Sequence, residues 1–337
     1  MKVRTIRILF LTVFSFIVSH ILGQVDPHFT QYYQFPLFLN PALAGVISNG
    51  NIRASAIYRN QWNTIIIPYS TLGISSDISL TEDLGLGVQM TNQTVGSGGY
   101  NNTNIHLSIA NQSLKLGGYG DQIVSFGIQA GLMMKSFNRS KLQFADQFNS
   151  ALGFDPSKIS NALNYLQTFD QTLPDFGAGI YYVDRTPDQN INVYFGTSLS
   201  HLWAGNDQFI ESNSSLPINT KIHGGAQIVA NDKLKIYPNL LGMFQGTASE
   251  IVIGGHLEYK IQEKNAFIFG SNYRIGDAIN LIAGYNVASF NIGVSTDVHL
   301  SGLSSASKSV FSLEFSVGYI LYHKQLGRNS DFACPRL

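Results

Sequence analysis

Ser200, His201 and Asp207 are the nearest this chain comes to a nucleophile, a base and an acid within a few residues. Nucleophilic catalysis needs the base within hydrogen-bond reach of the hydroxyl. Adjacent residues of a strand point to opposite faces, so Ser200 and His201 are expected to face apart, and no catalytic residue is assigned. The eight histidines are scattered, and no pair has metal-ligand spacing with a carboxylate or cysteine. His106, His223 and His256 are expected on the polar faces of strands, as hydrogen-bonded structural groups. Gly85-Leu86-Gly87 is no phosphate loop, because no helix follows it; strand curvature and close packing account for it better. The expectation is a protein without enzymatic activity, metal or cofactor.

The elements that carry these residues must be strands. Only 12% of the 337 residues are charged, about half the usual globular share, while 44% are apolar and 32 are glycine. The formal net charge is zero and no basic patch is visible, which argues against a nucleic-acid partner. No internal run approaches the roughly 18 apolar residues a spanning helix needs. A chain of this composition that sits in a membrane does so as a barrel.

Residues 310–322 give the pattern its plainest form: Phe311, Leu313, Phe315, Val317, Tyr319 and Leu321 alternate with Ser312, Glu314, Ser316 and Gly318. Similar runs cover 51–61, 69–80, 83–94, 99–113, 121–136, 174–184, 190–202, 218–230, 234–245, 249–261, 265–275, 277–287, 288–300 and 308–322. That is about fourteen, an even number within the range of outer-membrane barrels. In the 265–275 run Phe267, Phe269 and Tyr273 oppose Gly270, Asn272 and Arg274; in 249–261 Ile251, Ile253, Leu257 and Tyr259 oppose Gly254, His256, Glu258 and Lys260. Charge on one face and hydrocarbon on the other suits a lipid-facing exterior and a polar interior. Every second connection is short, and the intervening ones include 136–173 and 203–217, the short-turn, long-loop arrangement of outer-membrane barrels. Part of the first long loop, 155–166, is read as helical, with Pro156 in its first turn. The last strand must pair with 51–61 so that no edge faces lipid.

The inward charges Arg53, Arg59, Asp77, Lys221, Glu258, Lys260, Arg274, Asp297 and Glu314 are nearly balanced in sign, which predicts a lumen closed by ion pairs rather than an open selective pore. Two regions flank the barrel. Residues 1–23 have basic Lys2, Arg4 and Arg7, an apolar run over 8–18 and a small residue at the end, which reads as a secretory signal peptide cut after Gly23. Residues 24–50 are rich in aromatics and carry prolines 27, 36 and 41, which rule out a regular strand or helix; the segment is expected to be extended and packed, as a plug inside the barrel. Residues 323–337 run on beyond the last strand as a tail holding Cys334, the sole cysteine, placed in the periplasm by the strand count.

Asp26-Pro27-His28-Phe29-Thr30-Gln31-Tyr32, followed by Leu39-Asn40-Pro41-Ala42 and Ala44-Gly45, resembles the opening of the PorP/SprF family. Tyr58-Arg59-Asn60-Gln61-Trp62, Pro68-Tyr69-Ser70-Thr71, Leu84-Gly85-Leu86-Gly87, Phe144-Ala145-Asp146-Gln147, Pro174-Asp175-Phe176, Tyr273-Arg274 with Gly276-Asp277-Ala278, and Ala333-Cys334-Pro335-Arg336 look like its further blocks. His28, Leu43 and Leu337 depart from the family's pattern. The resemblance implies an outer-membrane barrel of FadL-like shape in the type IX secretion system of Bacteroidetes. It also implies a role in gliding motility, or in export and surface attachment of particular adhesins. Partners implied are a secreted cargo protein, other secretion components or a periplasmic lipoprotein, and outer-membrane lipid. Asp26, Pro27, Phe29, Gln31, Tyr32, Asn40, Pro41, Arg59, Trp62, Arg274, Cys334 and Arg336 are the expected partner or plug contacts. A FadL-like or porin-like channel is the alternative that a barrel shape alone allows.

Overall fold

The structure is a computed structural model that describes residues 26–47, 52–61, 69–96, 99–118, 120–138, 141–149, 153–155, 157–161, 168–203, 205, 209, 216–300 and 311–321. Fourteen antiparallel strands close into one barrel. In chain order these are β1 (Ile52–Gln61), β2 (Tyr69–Ser79), β3 (Leu84–Val95), β4 (Tyr100–Leu116) and β5 (Gln122–Phe137). A small hairpin of β6 (Phe148–Asn149) and β7 (Gly153–Phe154) stands apart in the following loop. The barrel resumes with β8 (Asp170–Asp184), β9 (Ile191–Ser200), β10 (Asn219–Asn231), β11 (Leu234–Gln245) and β12 (Ala248–Gln262). It ends with β13 (Asn265–Arg274), β14 (Ala278–Val287), β15 (Phe290–His299) and β16 (Phe311–Leu321).

The last strand meets the first along its whole length, from Ile52 opposite Leu321 to Gln61 opposite Ser312. Closure leaves no edge carrying unpaired backbone groups, the condition for strands to stand in hydrocarbon. The wall is apolar outward and polar inward. Leu107, Ile128 and Phe269 are 64%, 64% and 56% exposed, whereas Asp297, Glu314, Asn280 and His223 are 2%, 0%, 1% and 1% exposed. A water-soluble barrel would reverse that order; a lipid-facing one requires it.

One rim consists of tight connections at 80–83, 117–121, 185–190, 232–233, 263–264 and 288–289, and β1 starts there. The other rim carries the 62–68 connection and the long 138–169, 201–218 and 300–310 connections, together with three tight ones at 96–99, 246–247 and 275–277. These are the turn rim and the loop rim. The helix expected over 155–166 does not start at its N-terminal end: residues 157–160 are turn, bend and irregular backbone, Asn161 is 3-10, and residues 156 and 162–167 lie outside the described residues. Asp155 accepts from the Ser157 N–H and hydroxyl, a local turn that competes with a helical start.

The hydrophobic core is inside the barrel and comes from the 26–47 segment. Tyr33, Phe35, Leu37, Leu39, Ala42, Leu43, Ala44 and Val46 are all 0–1% exposed. Its prolines shape it into short pieces: 3-10 turns at Tyr32–Gln34 and Pro41–Leu43 and one α-helical turn, Pro36–Leu39, with Pro36 where a missing N–H costs nothing. Phe29, Phe35 and Phe38 pack with centroids 5.2–5.7 Å apart, and Ile57 of the wall completes the cluster. Each such aromatic pair contributes roughly 0.5–1.5 kcal/mol beyond area burial.

Candidate functional site

Irregular backbone inside a barrel has to find hydrogen-bond partners on the wall. The 26–47 segment does so at four levels, running from the loop rim down to the turn rim. At the loop rim the Asp26 Oδ2 accepts from His201 Nε2 at 2.8 Å and from Asn219 Nδ2 at 2.7 Å, and the Asp26 N–H donates to Gln245 Oε1 at 3.1 Å. His201 Nδ1 lies 3.0 Å from Asp175 Oδ2, which His106 Nε2 also meets at 2.8 Å.

Below it, Arg59 on β1 faces Glu314 on β16. Arg59 donates to Glu314 Oε2 at 3.1 Å, to Asp297 and to the Thr30 hydroxyl at 2.6 Å. The Glu314 carboxylate in turn accepts the N–H groups of Thr30 at 2.8 Å and Gln31 at 2.6 Å. The Gln31 amide is held between Ser295 and Ser316. Arg274 reaches Asp277 at 2.8 Å, Asp297 at 3.4 Å and Glu250 at 3.5 Å.

In the middle Tyr32 donates to Asn239 at 2.8 Å and Tyr33 stacks on the His256 ring; the chain then returns toward the loop rim, where Lys221 Nζ, two residues from Asn219, donates to the Phe38 carbonyl. Asn40 spends its Nδ2 on the carbonyls of Ile180 and Thr197, while its Oδ1 caps the Ala42 N–H. Gly179 makes this reach feasible, since a Cβ there would lie 2.0 Å from Asn40 Oδ1. Pro41 is buried beside it.

At the turn rim Arg53 grips Asp77 with two 2.9 Å bonds and donates to the Leu43 carbonyl at 3.0 Å, and Asp77 accepts the Gly45 N–H at 2.8 Å. The Gly85 that looks like half of a phosphate loop is a contact surface: a Cβ there would sit 2.1 Å from the Ala44 carbonyl oxygen.

Burial and charge tune the groups at the mouth. Burial pulls the His201 imidazole down, but Asp26 and then Asp175 outweigh it and hold the ring up at about 9, so it is a cation at neutral pH. Burial pushes the Asp26 carboxyl up, yet His201, Lys221 and Asn219 keep it far below the carboxylate range. His28 goes the other way: burial, then Arg274 and Arg59, keep it neutral, so its Nε2 accepts from Arg59 at 3.1 Å.

The structure brings Asp26, Pro27, Phe29, Gln31, Tyr32, Asn40, Pro41, Arg59 and Arg274 together inside the lumen. Trp62, Cys334, Arg336 and Asp207 lie outside the described residues. The expectation that Ser200 and His201 face apart does not hold. Both are buried, 8% and 5% exposed, because His201 adopts a φ of +60° just past the end of β9 and swings back inward. They make no evident catalytic pair: His201 Nε2 bonds Asp26, and its Nδ1 lies 3.0 Å from Asp175 Oδ2. Of the inward charges, Lys260 is exposed near the turn rim rather than enclosed. Asp175 and Glu250 were missing from that set, although alternation with Phe176 and Ile251 placed both inward. Among the described residues no group of three or more His, Cys, Asp or Glu could hold a metal ion.

Residues 21–319 match the family described as type IX secretion system membrane protein PorP/SprF. The chain belongs to the PorP/SprF family. No individually curated protein matches its sequence. Among solved structures, the toluene transporter TbuX of Ralstonia pickettii is similar at 12% identity and a TM-score of 0.51, over 85% of this chain and 93% of that one. The Pseudomonas putida toluene transporter TodX gives 11% identity and a TM-score of 0.50, over 88% of this chain and 95% of that one. At such identity the likeness is one of fold: PorP/SprF here takes the FadL-like barrel architecture.

Proposed function

We propose that this PorP/SprF chain is a non-enzymatic outer-membrane component of the type IX secretion system that works through protein–protein contacts, with its lumen plugged by its own N-terminal segment. The contacts serve the export or surface attachment of particular cargo, of the adhesin or gliding-motility kind found in Bacteroidetes. The observation that carries this reading is the segment itself, fixed at four levels from Asp26–His201 to Arg53–Asp77 and Gly45. A barrel whose interior polar groups are spent on its own chain has its outer loops and its two ends left for recognition.

In this reading the signal over 1–23 is removed after Gly23, the loop rim faces the exterior, and the 323–337 tail meets secretion machinery or a lipoprotein in the periplasm. The rival reading, a FadL-like solute channel, has the fold in its favour. It requires a continuous path through the lumen, where Leu37, Leu39 and Leu43 are packed against the wall.

Deleting the gene separates the two. The proposal expects solute uptake to be unchanged while at least one surface protein stays inside the cell. Normal export of every surface protein in the mutant, with a defect in uptake of apolar solutes, would favour the channel.

A further inference from the structure

The wall holds the 26–47 segment by its main chain. Glu314 takes the N–H groups of Thr30 and Gln31, and Asp77 takes that of Gly45. Lys221 donates to the Phe38 carbonyl at 2.8 Å and Ser198 to that of Leu39 at 2.7 Å. Ser125 donates to the Ala42 carbonyl at 2.6 Å and Arg53 to that of Leu43 at 3.0 Å. Each of these six wall side chains is at most 6% exposed. Buried side chains aimed at backbone N–H and C=O groups are what a site needs to bind an irregular peptide away from water.

The wall is also cut to the outline of the segment. A Cβ on Gly127 of β5 would lie 2.3 Å from the Ala42 nitrogen, and one on Gly293 of β15 would lie 2.0 Å from Gln31 Oε1. Glycine is the residue that lets another backbone approach so closely.

The path of the segment argues against filling a finished barrel. Phe29 and Phe38 pack at 5.2 Å, so the chain doubles back before it descends to Gly45. A doubled chain carrying five aromatic rings over 29–38 would have to pass up a closed lumen from the turn rim, where β1 begins. Closure around the segment meets no such obstacle. The segment leads into β1, and its Thr30 and Gln31 bind Asp297 and Ser295 of β15 and Glu314 and Ser316 of β16. Thr30 and Glu314 are 284 residues apart, and bringing such distant parts together costs chain entropy that contacts formed at the same step offset.

We propose that the lumen is a peptide-binding site that recognises main-chain amides, and that its occupant, the 26–47 segment, is the template on which β1 and β16 close the barrel. The segment is placed first, β15 and β16 dock on Thr30 and Gln31, and the β1–β16 ladder then seals around it. The inference rests on the plugged lumen and not on the secretion role.

Refolding of the split chain tests this. Hydroxylamine cuts Asn–Gly bonds in unfolded chains, and Asn49–Gly50 is the sole such pair in the sequence. The purified full-length protein is cut there in denaturant, and both pieces are refolded together into detergent micelles with increasing amounts of a synthetic 26–49 peptide. Closure is read from the faster migration of the unheated barrel on gels, with the uncut chain refolded alongside. The yield of closed barrel is expected to rise about tenfold with added peptide and then level off, as binding by mass action requires. The closed barrel should carry the peptide through gel filtration. A peptide N-methylated at the Gln31 nitrogen, which loses one of the two donors to Glu314, is expected to need about tenfold more for the same yield. A yield that is the same at every peptide concentration, while the uncut chain refolds, overturns the template. Equal potency of the N-methylated and parent peptides overturns main-chain recognition. Uptake of peptide by barrels that had already closed without it overturns the role in closure. None of these readouts involves export, so failure of the secretion reading would leave the test standing.

Discussion

Arg59 on β1 and Glu314 on β16 stand opposite one another across the seam that closes the barrel, and the same two side chains hold Thr30 and Gln31 inside it. Closing the wall and filling it are therefore one set of interactions. Arg59 is 1% and Glu314 0% exposed, and a charge so buried is tolerated only when paired.

Arg59→Met would leave Asp297 and Glu314 facing each other's charge with one cation fewer. It is expected to cost about 3–5 kcal/mol, the usual penalty for breaking a buried pair from one side. Glu314→Gln keeps one acceptor oxygen for the two N–H groups that Oε1 and Oε2 now take, and should cost less because Arg59 still has Asp297. Denaturant unfolding in detergent measures both, and the double variant should cost less than the sum of the two. Simple additivity would mean that the two residues act separately.

The His201–Asp26 contact makes stability depend on pH in two windows. His201 is raised from 6.5 to about 9, so its contribution is complete below about pH 6.5 and is lost as pH rises through about 9. The upper bound of that contribution is about 3 kcal/mol. The folded Asp26 is depressed, so its share is present above its ordinary 3.8 and falls away in strong acid. Asp175, His106 and Lys221 face the same ring region. Unfolding midpoints between pH 6 and 10 should decline in the native chain and stay flatter in His201→Asn. Parallel curves would show that the ring carries no such charge.

Gly85→Val puts a branched side chain where the Ala44 carbonyl passes, with its Cβ 2.1 Å from that oxygen in the present geometry. Overpacking of this sort costs about 1–3 kcal/mol. The barrel should still insert, and the 26–47 segment should become open to proteolysis. A protected segment would indicate that backbone shifts at β3 absorb the clash.

Removing 327–337 should leave the barrel inserted and heat-modifiable on gels while reducing co-purification of partner proteins. Loss of insertion would show that the tail serves folding instead.

Much of the wall was legible in the sequence. Alternation alone locates the fourteen strands within a few residues and predicts that Ile52–Gln61 meets the final strand, because sidedness in lipid leaves few registers open. The contents of the lumen were less so. Alternation says that Arg59, Asp297 and Glu314 point inward but not that they converge on Thr30, since those partners lie 29, 267 and 284 residues away in the chain. His201 escaped because the period-two rule stops where the strand stops, and its φ of +60° lies one residue beyond β9. The direction of the N-terminal segment, Asp26 at the loop rim and Gly45 at the turn rim, is set by those long-range bonds and has no local signal.

Ion conductance of the purified full-length protein in a planar bilayer tests the closed lumen most directly. The 26–47 segment and its anchors predict no steady porin-like current at neutral pH, with only brief openings. A stable, porin-sized conductance from the unmodified protein would contradict a plugged barrel and favour a channel.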